Sequence, residues 1–341
     1  MTKPAVRPVR WQPPARSTDP SGPIPALRTY PVPGVGPEDV LVDASGRVLT
    51  GVADGRVLRL DPGTGRYRQV VETGGRPLGL EWLPDGRLLI CDAHRGLLAA
   101  DLTDTDTGPP ATVTDGRLEV LVTEVAGRPV RLCNNAAVGP DGTIWFTDSS
   151  ARFDLDHWKA DLIEHSGTGR LIRRDPDGHT AEVVTGLQFG NGVALAADGR
   201  AVYYAETGDY SLNKVPLTGP RAGLPTKLTP ALPGFPDNIS TGTDGRIWVA
   251  IASPRNALLD RLAPAPPALR SAVWALPDKL QPKPVNLTCV LAVDPATDRI
   301  VAAHATRNPA FGVSTGVREH HGTVWLGSLT ATTIAAFDLG G

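Results

Sequence analysis

Residues 134–148 read NNAAVGPDGTIWFTD: a polar pair, a short apolar run, a Pro-Asp-Gly turn, and a second apolar run that ends in Asp. A Gly-containing turn between two β-rich runs is a hairpin signal, because Gly supplies the positive φ that tight turns demand. The pattern recurs as PEDVLVDASG (37–46), PLGLEWLPDG (77–86), GNGVALAADG (190–199), PDNISTGTDG (236–245) and STGVREHHG (314–322). Further short runs such as RVLRL, RLIRRD and RIVAAH follow these hairpins, bounded by turn residues. Four strands per unit, repeating at roughly 40–57 residues, is the period of β-propeller blades. A sandwich has no reason to repeat one motif at a fixed offset. A propeller does, because every blade presents its innermost strand to a shared channel. The sequence therefore predicts an all-β fold, a six-bladed β-propeller with four-stranded antiparallel blades. The last unit, 314–339, supplies about three strands, and residues 23–32 are expected to add the fourth, closing the ring and removing its free edges.

The chain has 341 residues, 41% of them apolar, enough for one propeller domain over 23–341. Segment 2–22 is basic and Pro-rich without the apolar stretch of a secretory signal, and reads as a loosely ordered N-terminal arm (1–22). A net charge of -2 speaks against nucleic acid and lends no support to an electrostatic membrane contact. No apolar run approaches the length of a membrane span. The expected partner is a small-molecule substrate. Cys91, Cys133 and Cys289 are odd in number and widely spaced, which reads as buried thiols in a cytoplasmic protein. Heavy use of Ala, Arg, Gly and Pro suggests a GC-rich bacterial source. Two stretches interrupt the repeat: 152–167, with Leu155, Trp158, Leu162 and Ile163 at helical spacing, and the Pro-rich, partly helical 253–288. Such excursions are commonly functional loops, so both are expected to act as lids over one channel mouth.

Counting back eight residues from Gly46, Gly86, Gly142, Gly199, Gly245 and Gly322 reaches Glu38, Leu78, Asn134, Asn191, Asp237 and Ser314. In a propeller these positions converge at one depth. Glu38, Asn134, Asn191 and Asp237 combine two carboxylates with two neutral amide oxygens, a donor set for a hard divalent cation such as Ca²⁺. A softer metal calls for His or Cys, and neither occupies the register. Asn135 and Asn238, next to two of these positions, are candidates to complete or orient the shell. The competing reading is that Asn and Asp at strand starts merely satisfy backbone groups.

The phrases GPEDVLVDASG, CDAHRGLL, TIWFTDSSARFD, GRLIRRDPDG, GLQFGNGVALAADG, LPGFPDNI and REHHGTVWLGSL together resemble the family of regucalcin-type gluconolactonases, paraoxonases and strictosidine synthases. The likeness covers about residues 34–339 and is strongest to the bacterial strictosidine-synthase-like branch. It implies a channel calcium bound by Glu38, Asn134 or its neighbour Asn135, Asn191 and Asp237, with Asp237 as general base. The pair Glu38-Asp39 resembles paraoxonase, where the second acid serves a deeper ion, so Asp39 is an alternative ligand. Two departures stand out. Leu78 replaces the catalytic His of paraoxonase-like lactonases, and Thr315, beside Ser314, replaces the proton-moving Glu of strictosidine synthase.

Leu78, His94, Trp158, Ser314 and Thr315 are the candidate substrate contacts. His157 and His165 belong to the first lid, while His320 and His321 read as an exposed turn. Asp148 reads as a turn cap, and Trp145, Trp248 and Trp325, at one place in three repeats, as blade core. Ser149 and Ser150 lack a Gly-x-Ser-x-Gly elbow and do not read as nucleophiles. The expected activity is metal-dependent hydrolysis of a lactone or small ester. The alternatives are a cyclisation, condensation or isomerisation in secondary metabolism, and a non-catalytic ligand-binding propeller.

Overall fold

Gly142 sits at φ 86°, a conformation that costs glycine little, and the turn it completes lets Val138 pair with Ile144. The hairpin so formed is the inner half of one blade in a six-bladed β-propeller. The computed structural model describes residues 3–16, 22–102, 109–112, 114–229 and 231–340. Blade 1 runs Leu41–Val42, Val48–Gly51, Arg56–Asp61 and Arg66–Glu72; blade 2 runs Pro77–Trp82, Leu88–Asp92, Gly96–Ala100 and Leu118–Val122. Blade 3 holds Cys133–Val138, Ile144–Asp148, Gly169–Arg174 and Thr180–Leu187, and blade 4 holds Gly190–Leu195, Ala201–Glu206, Ser211–Pro216 and Thr226–Thr229. Blade 5 comprises Gly234–Thr241, Ile247–Pro254, Thr288–Asp294 and Arg299–Thr306, with Gly22–Pro23 added in parallel on its outer edge. Blade 6 is Ser314–His320, Thr323–Ser328 and Thr333–Asp338, completed by Arg28–Pro31 from the other end of the chain.

The ring thus closes with an N-terminal strand on a C-terminal blade, as the sequence predicts. Arg28 clasps Asp338 across that closure with two hydrogen bonds of 2.5 and 2.8 Å. Alternating apolar residues of neighbouring blades interdigitate, and Trp145, Trp248 and Trp325 are all buried between them. Cys91, Cys133 and Cys289 are buried, and none of them forms a disulfide among the described residues. Among the described residues no helix is long and apolar enough to cross a membrane.

One hairpin departs from the rest. In blade 6 His320 pairs with Thr323, leaving the two-residue turn His321–Gly322 at φ 47° and 83°. Elsewhere the turn is longer, as at Gly139–Thr143. Counting back eight from Gly322 therefore goes one residue past the equivalent position, Thr315, to Ser314.

Both interruptions of the repeat are helical. Trp158–Glu164 forms α1; Ala257–Leu262 and Pro267–Ala275 form α2 and α3, and α1 packs on α3. The N-terminal arm, expected to be loosely ordered, is packed across these helices over residues 3–16. Val9 N donates to Glu164 O (2.8 Å), Trp11 N to Ala263 O (3.3 Å), and Trp274 Nε1 to Pro4 O (2.8 Å). The Trp11 ring stacks on His165 with centroids 4.0 Å apart.

Candidate metal centre

Each inner strand from blade 2 onward begins with a β-bulge, between Pro77 and Leu80, Cys133 and Ala136, Gly190 and Val193, Pro236 and Ile239, and Ser314 and Val317. A bulge places two residues against one on the partner strand and re-aims their side chains. The first bulged residue in each case, Leu78, Asn134, Asn191, Asp237 and Thr315, lines the central cavity, as does Glu38 of blade 1. Ser314 does not. It is fully buried inside blade 6, its Oγ 3.4 Å from Cys289 N, so its place as a candidate contact passes to Thr315 alone.

The second bulged residues form another ring, in which Asp39, Asn135 and Asn238 alternate with Gly79, Gly192 and Gly316. Asp39 Oδ2 accepts from Leu80 N (3.0 Å) and Asn135 Oδ1 from Val193 N (2.9 Å), each reaching into the next blade. A Cβ at Gly192 would fall 2.2 Å from Ile239 N, and one at Gly316 would fall 2.7 Å from Asp39 Cα. Small residues there let the strands close on the channel.

The floor of the cavity is short of positive charge and of donors. Glu38, Asn134 and Asn191 are buried, and Asp237 keeps some opening to the cavity. Burial, with the charges of Asp237 and Asp39, pushes the Glu38 carboxyl well above its usual range, against the pull of Arg76 and the Asn238 amide. Burial drives Asp237 up to about 7, opposed by the Asn191 amide and the Asn238 N–H. Asp39 is raised to about 6 by burial while Arg318 and Leu80 N draw it down. Asn238 Nδ2 donates to both Glu38 oxygens, at 3.0 and 3.1 Å, and so orients that carboxylate. The oxygens Asn134 Oδ1, Asn191 Oδ1 and Asn238 Oδ1 are buried without any hydrogen-bond partner. Leaving such an acceptor unpaired costs about 1–3 kcal/mol.

Two raised carboxylates and orphaned amide oxygens would be relieved together by one hard cation. Glu38, Asn134, Asn191 and Asp237 fit it, since the set is all oxygen and lacks His and Cys. Because half of the set is amide, no cluster of three His, Cys, Asp or Glu occurs among the described residues.

Above this floor the walls are mainly apolar, with Lys159, Ser253, Asn256, Gln281, Lys283 and Thr330 among them. An open cavity of about 130 Å³ is lined by Leu78, Phe189, Phe235 and Val313 from the blades, by Leu155, Trp158 and Leu162 from the first interruption, and by Leu259, Pro282 and Pro284 from the second. Trp158 takes the expected place. His94 does not: it is exposed, its backbone N–H held by Asp92 Oδ1, outside the lining of the cavity. His157 bonds Asp154 on the first interruption. Asp148 accepts from Arg131 N and Leu132 N and pairs with the buried Arg170 at 2.9 Å, a structural cap as expected. Thr315 Oγ1 donates to Glu38 O at 2.8 Å, which leaves it no proton for chemistry.

Two floor residues escape the sequence reading, Ser149 and Thr207. Asn134 Nδ2 donates to Ser149 Oγ (3.0 Å) and Asn191 Nδ2 to Thr207 Oγ1 (3.1 Å). The available signal was a hydroxyl directly after the acidic strand end, Asp148-Ser149 and Glu206-Thr207, in the two blades that carry Asn.

Comparison with known proteins agrees with this fold. Residues 47–271 match the family described as SMP-30/Gluconolactonase/LRE-like region, and residues 26–60 match Strictosidine synthase-like, N-terminal. Protein STRICTOSIDINE SYNTHASE-LIKE 13 of Arabidopsis thaliana is 34% identical over 71% of this chain and 64% of its own length. Protein STRICTOSIDINE SYNTHASE-LIKE 10 of the same plant is 31% identical over 89% of this chain and 85% of its own. These relatives are plant proteins, where the sequence suggested a bacterial branch. In fold, the chain is similar to a Xanthomonas campestris gluconolactonase (TM-score 0.65, 16% identity, 99% of both chains). It is likewise similar to a calcium-binding protein, regucalcin, from Agrobacterium tumefaciens (TM-score 0.61, 15% identity, 94% and 96% of the two chains). With its propeller and these matches, the chain belongs to the SMP-30/gluconolactonase/LRE-like family and is related to the strictosidine synthase-like proteins.

Proposed function

We propose that the protein is a calcium-dependent hydrolase that opens a lactone or small ester with an apolar body. The observation that carries this reading is the floor itself: two raised carboxylates and unpaired amide oxygens at the bottom of a cavity with mainly apolar walls. Glu38, Asn134, Asn191 and Asp237 would hold the cation, which supplies Lewis-acid polarisation of a carbonyl when bound. Asp237, the floor carboxylate that opens to the cavity, is placed to take a proton from the attacking water. The acyl–oxygen bond then breaks, and the departing alkoxide takes that proton back from Asp237 to become the alcohol. Leu78, Phe189, Phe235, Trp158 and Leu162 exclude bulk water and hold the apolar part of the substrate. The fold likeness to a gluconolactonase and to a calcium-binding regucalcin supports the reading.

A second reading, a cyclisation, condensation or isomerisation, is favoured by the strictosidine synthase-like relatives and by Leu78, which leaves that wall without an imidazole. A non-catalytic platform is the third. Hydrolysis of an alkyl- and aryl-lactone and ester panel, with calcium, with chelator and with Asp237→Ala, separates them. Turnover lost in chelator and in Asp237→Ala is expected. Turnover indifferent to both sinks the mechanism. Saturable binding of the panel without turnover sinks hydrolysis and leaves the other two readings.

A further inference from the structure

Asparagine is an ambiguous ligand, because one end of the amide is an acceptor and the other a donor, and only the oxygen can meet a cation. Asn134 and Asn191 both turn Oδ1 away from every protein partner and both donate Nδ2 to a hydroxyl. A hydroxyl carries a single proton. Ser149 Oγ gives its proton to Gly190 O at 2.6 Å, and Thr207 Oγ1 gives its own to Pro236 O at 2.7 Å. In each case the acceptor is the carbonyl of the next blade, directly before that blade's cavity-lining residue. Hydroxyls engaged in this way can only accept. A flipped amide would set its oxygen against another oxygen with no proton to share, so the NH₂ group points to the hydroxyl and Oδ1 is left over.

The other blades show that this is not a general feature of the ring. The bulge pairings align Ala93, Ser149, Thr207, Ala252 and Leu329, each following the residue paired at the start of the bulge. A hydroxyl stands there in the two blades with Asn, and in neither the blade with Leu78 nor those with Asp237 and Thr315. A carboxylate has two like oxygens and needs no such orientation.

We infer that Ser149 and Thr207 are positioning residues that hold Asn134 and Asn191 with their oxygens toward the cation. The inference rests on the cation reading above. Calcium titration calorimetry on the full chain tests it with Thr207→Val, Thr207→Ser, Ser149→Ala and Asn191→Asp, the melting temperature in chelator confirming the fold of each. Thr207→Val and Ser149→Ala are expected to weaken calcium binding about 10–100-fold, the range for outer-shell partners. Thr207→Ser restores the acceptor and is expected to bind within about twofold of the parent chain, a rescue that a purely structural role for the methyl group would not give. In an Asn191→Asp background the same Thr207→Val change is expected to cost under about threefold, because a carboxylate has nothing to orient. Unchanged calcium affinity in Thr207→Val, or an equal loss in both backgrounds, overturns the positioning role. A parent chain that takes up no calcium overturns the cation reading instead.

Discussion

The floor and the roof of the cavity meet at the same substrate space but are built differently. The floor is contributed by equivalent positions of repeated blades, each aimed by a bulge and locked to its neighbour through Asp39, Asn135 or a hydroxyl. The roof is made of single, unrepeated segments, α1, α2 and α3, bound together by the arm through Glu164, Ala263 and Trp274. A floor position is defended by a whole ring of strands. A roof position depends on a few contacts between segments far apart in the chain. The floor should therefore tolerate loss of its ligand charges without unfolding, while the roof should open locally under small changes.

The largest expected effect tests the floor. Glu38→Gln removes a buried carboxyl whose ionisation the free chain disfavours, so calcium affinity is expected to fall at least about 100-fold while the melting temperature in chelator stays level or rises. A lower melting temperature in chelator would mean that Glu38 holds the ring together and that the floor does not tolerate its loss. Calorimetry and thermal unfolding read the two arms.

Trp11→Ala probes the roof. Removing the stack on His165 is expected to speed amide exchange in α1 and α3 about tenfold, the equivalent of about 1.4 kcal/mol, and to leave the inner blade strands protected. Exchange that rises equally in the blades would show that roof and floor open as one unit.

Acid sharpens the same contrast. Burial, with Arg270 and Lys227 nearby, lowers the His165 imidazole from 6.5 to about 3. A depressed imidazole favours the folded roof above the unfolded value of 6.5, and this contribution is lost as pH falls from 6.5 toward 3. Asp161 on α1 runs the other way: burial raises it to about 6, with Ser150, Ser166 and Arg152 opposing and Glu164 adding to the shift. Its preference for the folded state is full below 3.8 and is lost as pH rises through about 6. His165→Phe isolates the first contribution: between pH 7 and 4 its α1 protection factors, corrected for the intrinsic exchange rate, should fall less than those of the parent chain. An equal fall in both would show that His165 does not contribute. The smallest effect is His94→Ala, expected to change calcium affinity and turnover less than about twofold, as for an ordinary exposed residue.

What could be read in the chain follows the same division. Glu38, Leu78, Asn134, Asn191 and Asp237 were legible because a repeat converts spacing in sequence into depth in a channel. Blade 6 slipped by one, since the two-residue His321–Gly322 turn shortens the ruler used for the other blades, and the bulge that carries the true register leaves no composition signal. Ser149 and Thr207 were passed over because an isolated hydroxyl at a strand end has many uses. Their role depends on which proton goes to Gly190 O and Pro236 O, and those are contacts between blades. The arm was misjudged for a related reason. A Pro-rich stretch without periodicity carries no local signal of order, and its order comes from Glu164, Ala263 and Trp274.

By itself, then, the sequence determined the blades, the closure of the ring by an N-terminal strand, and the kind of atom presented at the channel floor. These rest on period, turn chemistry and residue type, all local properties. Only the tertiary structure decided which way each amide faces, which of Ser314 and Thr315 reaches the cavity, and how the arm and helices roof it. Those outcomes are set by hydrogen bonds and packing between residues distant in sequence, where a single proton or a one-residue bulge selects the arrangement.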